Sequence, residues 1–347
     1  MVTVKAMATD GPGQPFHTTD IDRRELGPRD VLIELAWCGI CHSDLHAAHR
    51  EPPLTRYPLV PGHEMTGTIA AVGPDVTRFR VGDKAGIGPY IDSCGECDTC
   101  RRGFESYCRR GKVLTYNAVG RDGVVTQGGY SQAIVADEHF VVRIPDTMPL
   151  DRAAPMLCAG VTLYSPLRRF GAGPGTRVGI VGFGGLGHVG TQIAHALGAD
   201  VTVLNLTEEQ RADALRLGAD RYVCTQDPSA LESLKDQFDL VISTVPVTID
   251  MVPYLELLDL DGVLVNLNDS KEPMSIPSRA LLTNRRSLVG SLSGGMAEIQ
   301  EMIDFCAEHG VGAEVEHVDA ADVDQAYDRL DRGDVRYRFV IDVATLR

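Results

Sequence analysis

Read for chemistry, the chain offers reactive side chains in two places before residue 65. Cys41-His42-Ser43-Asp44-Leu45-His46 puts a thiol, a hydroxyl and two imidazoles into six residues. His63 and Glu64 follow the turn Pro61-Gly62 in YPLVPGHE. Taken singly, a buried cysteine is most often inert packing and a histidine a satisfied polar group. Taken together, with a later cysteine to complete them, these residues have the make-up of an open zinc site: three protein ligands and one labile position. Cys158, within Met156–Tyr164, is such a later cysteine and is expected to project from a helix.

Cys94-x2-Cys97-x2-Cys100-x7-Cys108 is the most specific metal signal in the chain. Four thiolates so close in sequence can close a tetrahedron around zinc and leave no position for substrate. A redox pair accounts for one C-x-x-C but not for all four cysteines. An iron–sulfur cluster also uses C-x2-C-x2-C, yet here no Cys-Pro follows. A nucleic-acid-binding zinc ribbon needs two separated pairs and a basic surface. Structural zinc fits best.

The third constellation is RVGIVGFGGLGHVG at 177–190. Val178, Ile180 and Val181 form a short apolar strand, and Val189, Ile193, Ala194 and Leu197 a helical pattern closed by Gly198. Between them Gly182, Gly184 and Gly187, with Gly185 and Leu186 inside the turn, match G-x-G-x-x-G. Gly182 suits the tight turn, Gly184 the approach of a pyrophosphate, and Gly187 the packing of helix on strand. With a second strand at Asp200–Leu204 in place, dinucleotide binding is the expectation.

These groups need a scaffold. Val31, Ile33, Leu35 and Trp37 alternate, predicting a half-buried strand with all four on one face. Turns recur up to residue 150, which marks a β-rich region; beyond about 151 helices and strands alternate. Further strands are expected at Tyr222–Thr225, Phe238–Val245, Gly262–Leu267 and Ser287–Gly290, making six with the two around the glycine turn. An amphipathic helix from Met296 to Gly310 follows, its methionines read as core. Then come a strand at Glu314–Val318, a helix through Tyr327 and Leu330, and a strand at Tyr337–Val343, returning the chain to the first domain. A length of 347 residues fits two domains. A net charge of −15 argues against nucleic acid or an anionic membrane as partner. Val178–Ala199 is uncharged, but its glycines and polar residues speak against a membrane span. Nine cysteines with no apolar leader in MVTVKAMATDGPGQ predict reduced thiols in the cytoplasm.

Six motifs in this order, GICHSDLH at 39–46, YPLVPGHE at 57–64, the four-cysteine lobe, LCAGVTLYSPL at 157–167, GFGGLGHVG at 182–190 and DVRYRFVID at 334–342, resemble the zinc-dependent medium-chain alcohol dehydrogenases. Within them the likeness is to the cinnamyl alcohol dehydrogenase branch, including bacterial aldehyde reductases. It implies an α/β fold: a GroES-like β-rich catalytic domain (1–154 and 293–347, zinc lobe at about 90–112) and a Rossmann doubly wound parallel-sheet coenzyme domain (155–292). It further implies two zinc ions per chain. Cys41, His63 and Cys158 would hold the catalytic ion, with Glu64 beside it, and Cys94, Cys97, Cys100 and Cys108 the structural one. Ser43 and His46 match the proton-relay positions, and His42 and Thr162 the coenzyme contacts. The expected reaction joins a small primary alcohol and its aldehyde by hydride transfer, with reduction favoured, in a homodimer. Relatives that reduce conjugated or iminium bonds, and a non-catalytic zinc-binding regulator, are the alternatives.

Coenzyme choice is read from the end of the second strand. There Asn205 replaces the acid that usually binds the ribose hydroxyls of NAD(H). A neutral residue does not repel a 2′-phosphate, and Arg211 offers positive charge; together with the nearby helix N-terminus this favours NADP(H) over NAD(H). Against it, the turn carries Glu208 and Glu209 and lacks the Lys usual before the Arg, and Thr207 with Gln210 is expected to form a helix capping box.

Overall fold

The computed structural model describes residues 2–227, 229–270 and 272–347. The chain forms two compact units: residues up to Cys158 together with Gly294–Arg347, and Ala159–Ser293.

The first unit is built on the strand Asp30–Ile40. It pairs antiparallel with Met65–Val72, Ala133–Asp137 and Arg338–Asp342. Lys84–Ile87 and Val142–Arg143 extend the sheet at one edge and Val315–Asp319 at the other. Val31, Ile33 and Leu35 are buried as their alternation requires, but Trp37 is not among them. The pairing with Met65–Val72 slips between Leu35 and Trp37. This bulge inverts the alternation, so Cys38 and Ile40 enter the core and the Trp37 ring stacks on His317, centroids 4.5 Å apart.

Asp30 starts this strand from a buried position. Its carboxylate accepts hydrogen bonds from the Gly27 N–H at 2.6 Å and from both terminal nitrogens of Arg24. Burial pushes its pKa up, but these donors outweigh burial and hold it below the usual carboxylate value. The ionised form therefore stabilises the fold above the unfolded value, and the contribution fades as pH falls through the depressed one. Asp30→Asn should cost about 1 kcal/mol at pH 7, allowing for screening at the half-exposed Arg24. The penalty should shrink below about pH 4. A penalty that urea unfolding finds equal at pH 7 and pH 3 would rule out this ion pair as its source.

The second unit holds the six-stranded parallel sheet, ordered Arg221–Cys224, Asp200–Asn205, Arg177–Val181, Phe238–Ser243, Leu258–Asn266, Ser287–Gly290. Numbered along the chain this is 3-2-1-4-5-6, the doubly wound dinucleotide-binding order. The strand expected to start at Gly262 starts at Leu258, because the chain kinks within it: Asp261 has φ 63°, and the register against Phe238–Ser243 shifts. In the C-terminal stretch the helix Met296–His309 ends at Gly310, φ 67°, and buries Met296 and Met302 in the core. Val315–Asp319, the helix Val323–Asp331 and Arg338–Asp342 follow as the sequence predicts. No described helix is long and apolar enough to cross a membrane.

Candidate active site

Neighbouring strand ends assemble the first cluster. Cys41 directly follows Asp30–Ile40, and His63 and Glu64 directly precede Met65–Val72, whose Met65 lies opposite Cys38. The Gly39 N–H donates to the Glu64 carbonyl at 2.8 Å, closing the ladder at that end. Arg338 opens the strand on the other side, next to Phe339, which pairs with Ile40. Cys158 arrives between the short turn Pro155–Leu157 and the helix Ala159–Arg169, so it precedes that helix rather than projecting from it. One donor atom each from Cys41, His63, Glu64 and Cys158 lies within 4.8 Å of the others.

Two residues that sequence reasoning passed over hold this set in place. Asp44, fully buried on the helix His42–His49, accepts from the Cys41 N–H at 2.9 Å and the Gly62 N–H at 3.1 Å. The His63 Nδ1–H donates to the same carboxylate at 3.0 Å, which leaves Nε2 as the ring atom for the thiol side. Arg338, also buried, binds Glu64 Oε1, while Glu64 Oε2 is buried with no partner. Arg23 anchors the support from further away. It donates to the carbonyls of Gln127, Gly128 and Ala133, and Gly128, Gly129 and Tyr130 in turn bind the backbone of Val60, Gly62 and Pro61. Arg338 and Arg23 meet their partners from far along the chain, so spacing carries no signal for them. Asp44 alone had one, three residues after the helix cap at Cys41.

The electrostatics favour a cation. The hydrogen bond from Cys158 holds the Cys41 thiol well below its ordinary value, and the same bond with burial pushes Cys158 well above. Burial disfavours a charged His63, yet the Asp44 carboxylate and the hydrogen bonds to Asp44 and Cys41 raise its pKa well above 6.5. Burial lifts Glu64 to about 7 against the pull of Arg338. Two sulfurs, an imidazole nitrogen and an unpartnered carboxylate oxygen form a donor set that fits zinc.

Ser43 and His46 sit on the exposed side of the helix His42–His49, and no hydrogen bond joins them. His42 is half-buried, its ring 6.2 Å from that of His46, and burial lowers its pKa. In the second unit Thr162 is half-buried in Ala159–Arg169.

The four-cysteine lobe closes as its spacing predicts, with the sulfurs of Cys94, Cys97, Cys100 and Cys108 all within 4.8 Å of one another. The Cys97 N–H donates to Cys94 Sγ and the Cys94 N–H to Cys108 Sγ, each at 3.4 Å. The Thr99 hydroxyl, then the N–H groups of Cys100 and Arg109, hold Cys97 down to about 5, whereas burial pushes Cys100 up to about 12. A donor set of four sulfurs fits a closed, structural zinc.

In the second unit the glycine turn has the geometry a pyrophosphate needs. Gly182 has φ 89°, and a Cβ on Gly187 would lie 2.0 Å from the Gly182 carbonyl, so both positions exclude other residues. A Cβ on Gly184 would meet nothing within 4 Å, which leaves its backbone approachable. Gly185 and Leu186 complete the turn, and the helix Gly187–Ala196 begins immediately. Asn205 ends its strand as predicted and accepts from the Phe183 N–H at 3.2 Å. The capping box at Thr207 does not form. The helix starts only at Arg211, and the Thr207 hydroxyl donates to the Gln210 side chain instead of capping a backbone N–H. Arg211 is held by Glu208.

The alcohol dehydrogenase GroES-like domain family matches residues 27–146, and the zinc-binding dehydrogenase family residues 185–308. The NADP-dependent alcohol dehydrogenase C of Mycobacterium bovis is 52% identical over the full length of both chains. The chain belongs to the zinc-binding alcohol dehydrogenases. Among solved structures, a cinnamyl alcohol dehydrogenase of Sorghum bicolor superposes with a TM-score of 0.96 at 40% identity, covering 100% of this chain and 99% of the other. The Helicobacter pylori cinnamyl alcohol dehydrogenase, solved with NADP(H), gives 0.92 at 36% identity and the same coverage. As an alcohol dehydrogenase the chain is a zinc-dependent oxidoreductase that interconverts alcohols and aldehydes, with the GroES-like and dinucleotide-binding architecture its motifs predict.

Proposed function

We propose that this dehydrogenase exchanges hydride between a primary alcohol–aldehyde pair and NADP(H), in the direction of aldehyde reduction, with one catalytic and one structural zinc per chain. The observation that carries the reading is the convergence of Cys41, His63, Glu64 and Cys158 on one point. Cys41, His63 and Cys158 would hold the catalytic ion, and Cys94, Cys97, Cys100 and Cys108 the structural one. Bound there, zinc supplies Lewis acidity, which acidifies an alcohol or polarises a carbonyl. Asp44 keeps a His63 proton on Nδ1, so Nε2 would give up its own proton to serve as the donor to the ion. Arg338 restrains Glu64 through Oε1 and leaves Oε2 free to enter or leave the donor set. Ser43, two residues from Cys41, accepts the alcohol proton, and His46, one turn on, passes it to water. His42 and Thr162 are assigned to the coenzyme.

NADP(H) is supported by the neutral Asn205 and by what the mycobacterial relative's name and the Helicobacter complex say of those proteins. The GroES-like catalytic domain is assigned to 1–154 and 293–347 and the coenzyme domain to 155–292. A cytoplasmic homodimer completes the reading, with Ser287–Gly290 at the sheet edge as the pairing strand; a monomer mass by light scattering would exclude it. Metal analysis of purified protein should find two zinc equivalents per chain. Steady-state kinetics should give a higher kcat/KM for NADPH than for NADH. A zinc-free active enzyme, or equal coenzyme efficiencies, would overturn the corresponding half.

A further inference from the structure

The turn after Asp200–Asn205 leads into a helix whose first residue is the cation Arg211, and the structure shows how it is occupied. Its Nη1 donates to the Tyr222 carbonyl at 2.9 Å, and the guanidinium lies over the Tyr222 ring, 4.9 Å from the centroid. Its Nε and Nη2 both donate to the Glu208 carboxylate, Nη2 at 2.8 Å. All three nitrogens are therefore engaged, and a side-on carboxylate holds the fork that a phosphate would use. Behind this pair the turn is braced. Asn205 Nδ2 donates to Gln210 Oε1 at 3.0 Å and to the Tyr222 hydroxyl at 2.9 Å, and the Tyr222 hydroxyl donates to the Thr207 carbonyl. Arg211 is thus oriented by Tyr222 independently of Glu208. The exposed Glu208 is the acid paired with its charge.

We propose that Glu208 is a specificity-determining residue that masks Arg211, weakening recognition of a 2′-phosphorylated adenosine ribose without affecting the unphosphorylated form. This rests on the reading of the coenzyme as NADP(H). A 2′-phosphate arriving at Arg211 must displace the carboxylate or lie beside it, and both cost affinity. A ribose carrying a hydroxyl places no charge there and meets neither cost. An exposed ion pair is weak, so the mask lowers affinity by a modest factor and does not abolish binding.

The test uses the zinc-loaded full chain and calorimetric titration with 2′,5′-ADP and 5′-AMP, which needs no turnover. Glu208→Gln keeps the side-chain shape and removes the charge. It should tighten 2′,5′-ADP about three- to tenfold while 5′-AMP changes by less than about twofold. In an Arg211→Ala background the same substitution should give a clearly smaller gain. An unchanged 2′,5′-ADP affinity, an equal shift for both ligands, or an undiminished gain without Arg211 would each overturn the mask. The coenzyme reading fails separately, if wild-type protein binds 5′-AMP as tightly as 2′,5′-ADP. A 2′-phosphate preference that then emerges in Glu208→Gln would still support the mask.

Discussion

Cys158→Ala should yield a folded protein that has lost about one of two zinc equivalents and more than about 99% of its kcat/KM for aldehyde reduction. The expectation follows from how the ligand set is assembled. Cys41, His63 and Glu64 come from neighbouring strand ends tied together by ladder bonds, whereas Cys158 enters from a separate turn as the only contribution of that segment. Removing its sulfur leaves Cys41, His63 and Glu64 in place but takes away one thiolate and the hydrogen bond that holds the Cys41 thiol low. Cys158 lies between two helical turns and is only half-buried, so alanine costs little packing. Melting temperature should hold while metal and activity fall together. Full aldehyde reduction by this variant, or undiminished zinc, would falsify the ligand assignment.

What the sequence disclosed and what it concealed divide along a physical line. Residues whose job is local were legible. The glycines of 182–187 carry their backbone geometry in their own type, and the four lobe cysteines are close enough in sequence for spacing alone to imply closure. The central strands of the parallel sheet, Arg177–Val181, Asp200–Asn205 and Phe238–Ser243, were legible because they are largely buried and read as apolar runs. Arg338 and Arg23 were hidden because their roles arise from partners far along the chain, Arg338 reaching Glu64 across 274 positions of sequence. The helix His42–His49 was hidden for another reason. It follows a strand after a single residue and has no amphipathic stripe, His46 and His49 being exposed and its acid buried. Trp37 shows the limit of periodicity: alternation holds only until the ladder slips, and a bulge leaves no mark in the pattern of apolar residues. At Arg211 the sequence supplied the charge but not its occupancy. Glu208 counted as a nearby acid until the structure showed both its oxygens on the guanidinium.

Cys100→Ser should do the opposite of Cys158→Ala. It should remove about one zinc equivalent and lower the melting temperature by roughly 5–10 °C, with about 3 kcal/mol or more of stability lost. Activity per remaining zinc, assayed well below the transition, should stay within about twofold. The lobe has a small apolar interior: Tyr90 and Cys100 are buried, whereas Phe104 and Tyr107 are exposed. Its order thus depends on the four sulfurs, of which Cys100 is the most buried, 3.4 Å from Cys97 Sγ and 3.9 Å from Cys94 Sγ. Serine places a shorter, poorly ionised hydroxyl where a thiolate is needed. The damage should spread beyond the lobe. Glu105, buried within it, accepts from the Met296 N–H at 3.0 Å and from His139 Nε2 at 2.8 Å. It thereby satisfies the first N–H of the helix Met296–His309, whose Gly295 cap provides no side chain. A lobe that opens withdraws that acceptor from the element where the chain rejoins the first unit. Hydrogen exchange in the Cys100→Ser protein should therefore rise at 296–300 as well as at 94–108. Faster exchange confined to the lobe would show that Glu105 does not couple the two, and an unchanged melting temperature with both zinc ions retained would remove Cys100 from the metal site.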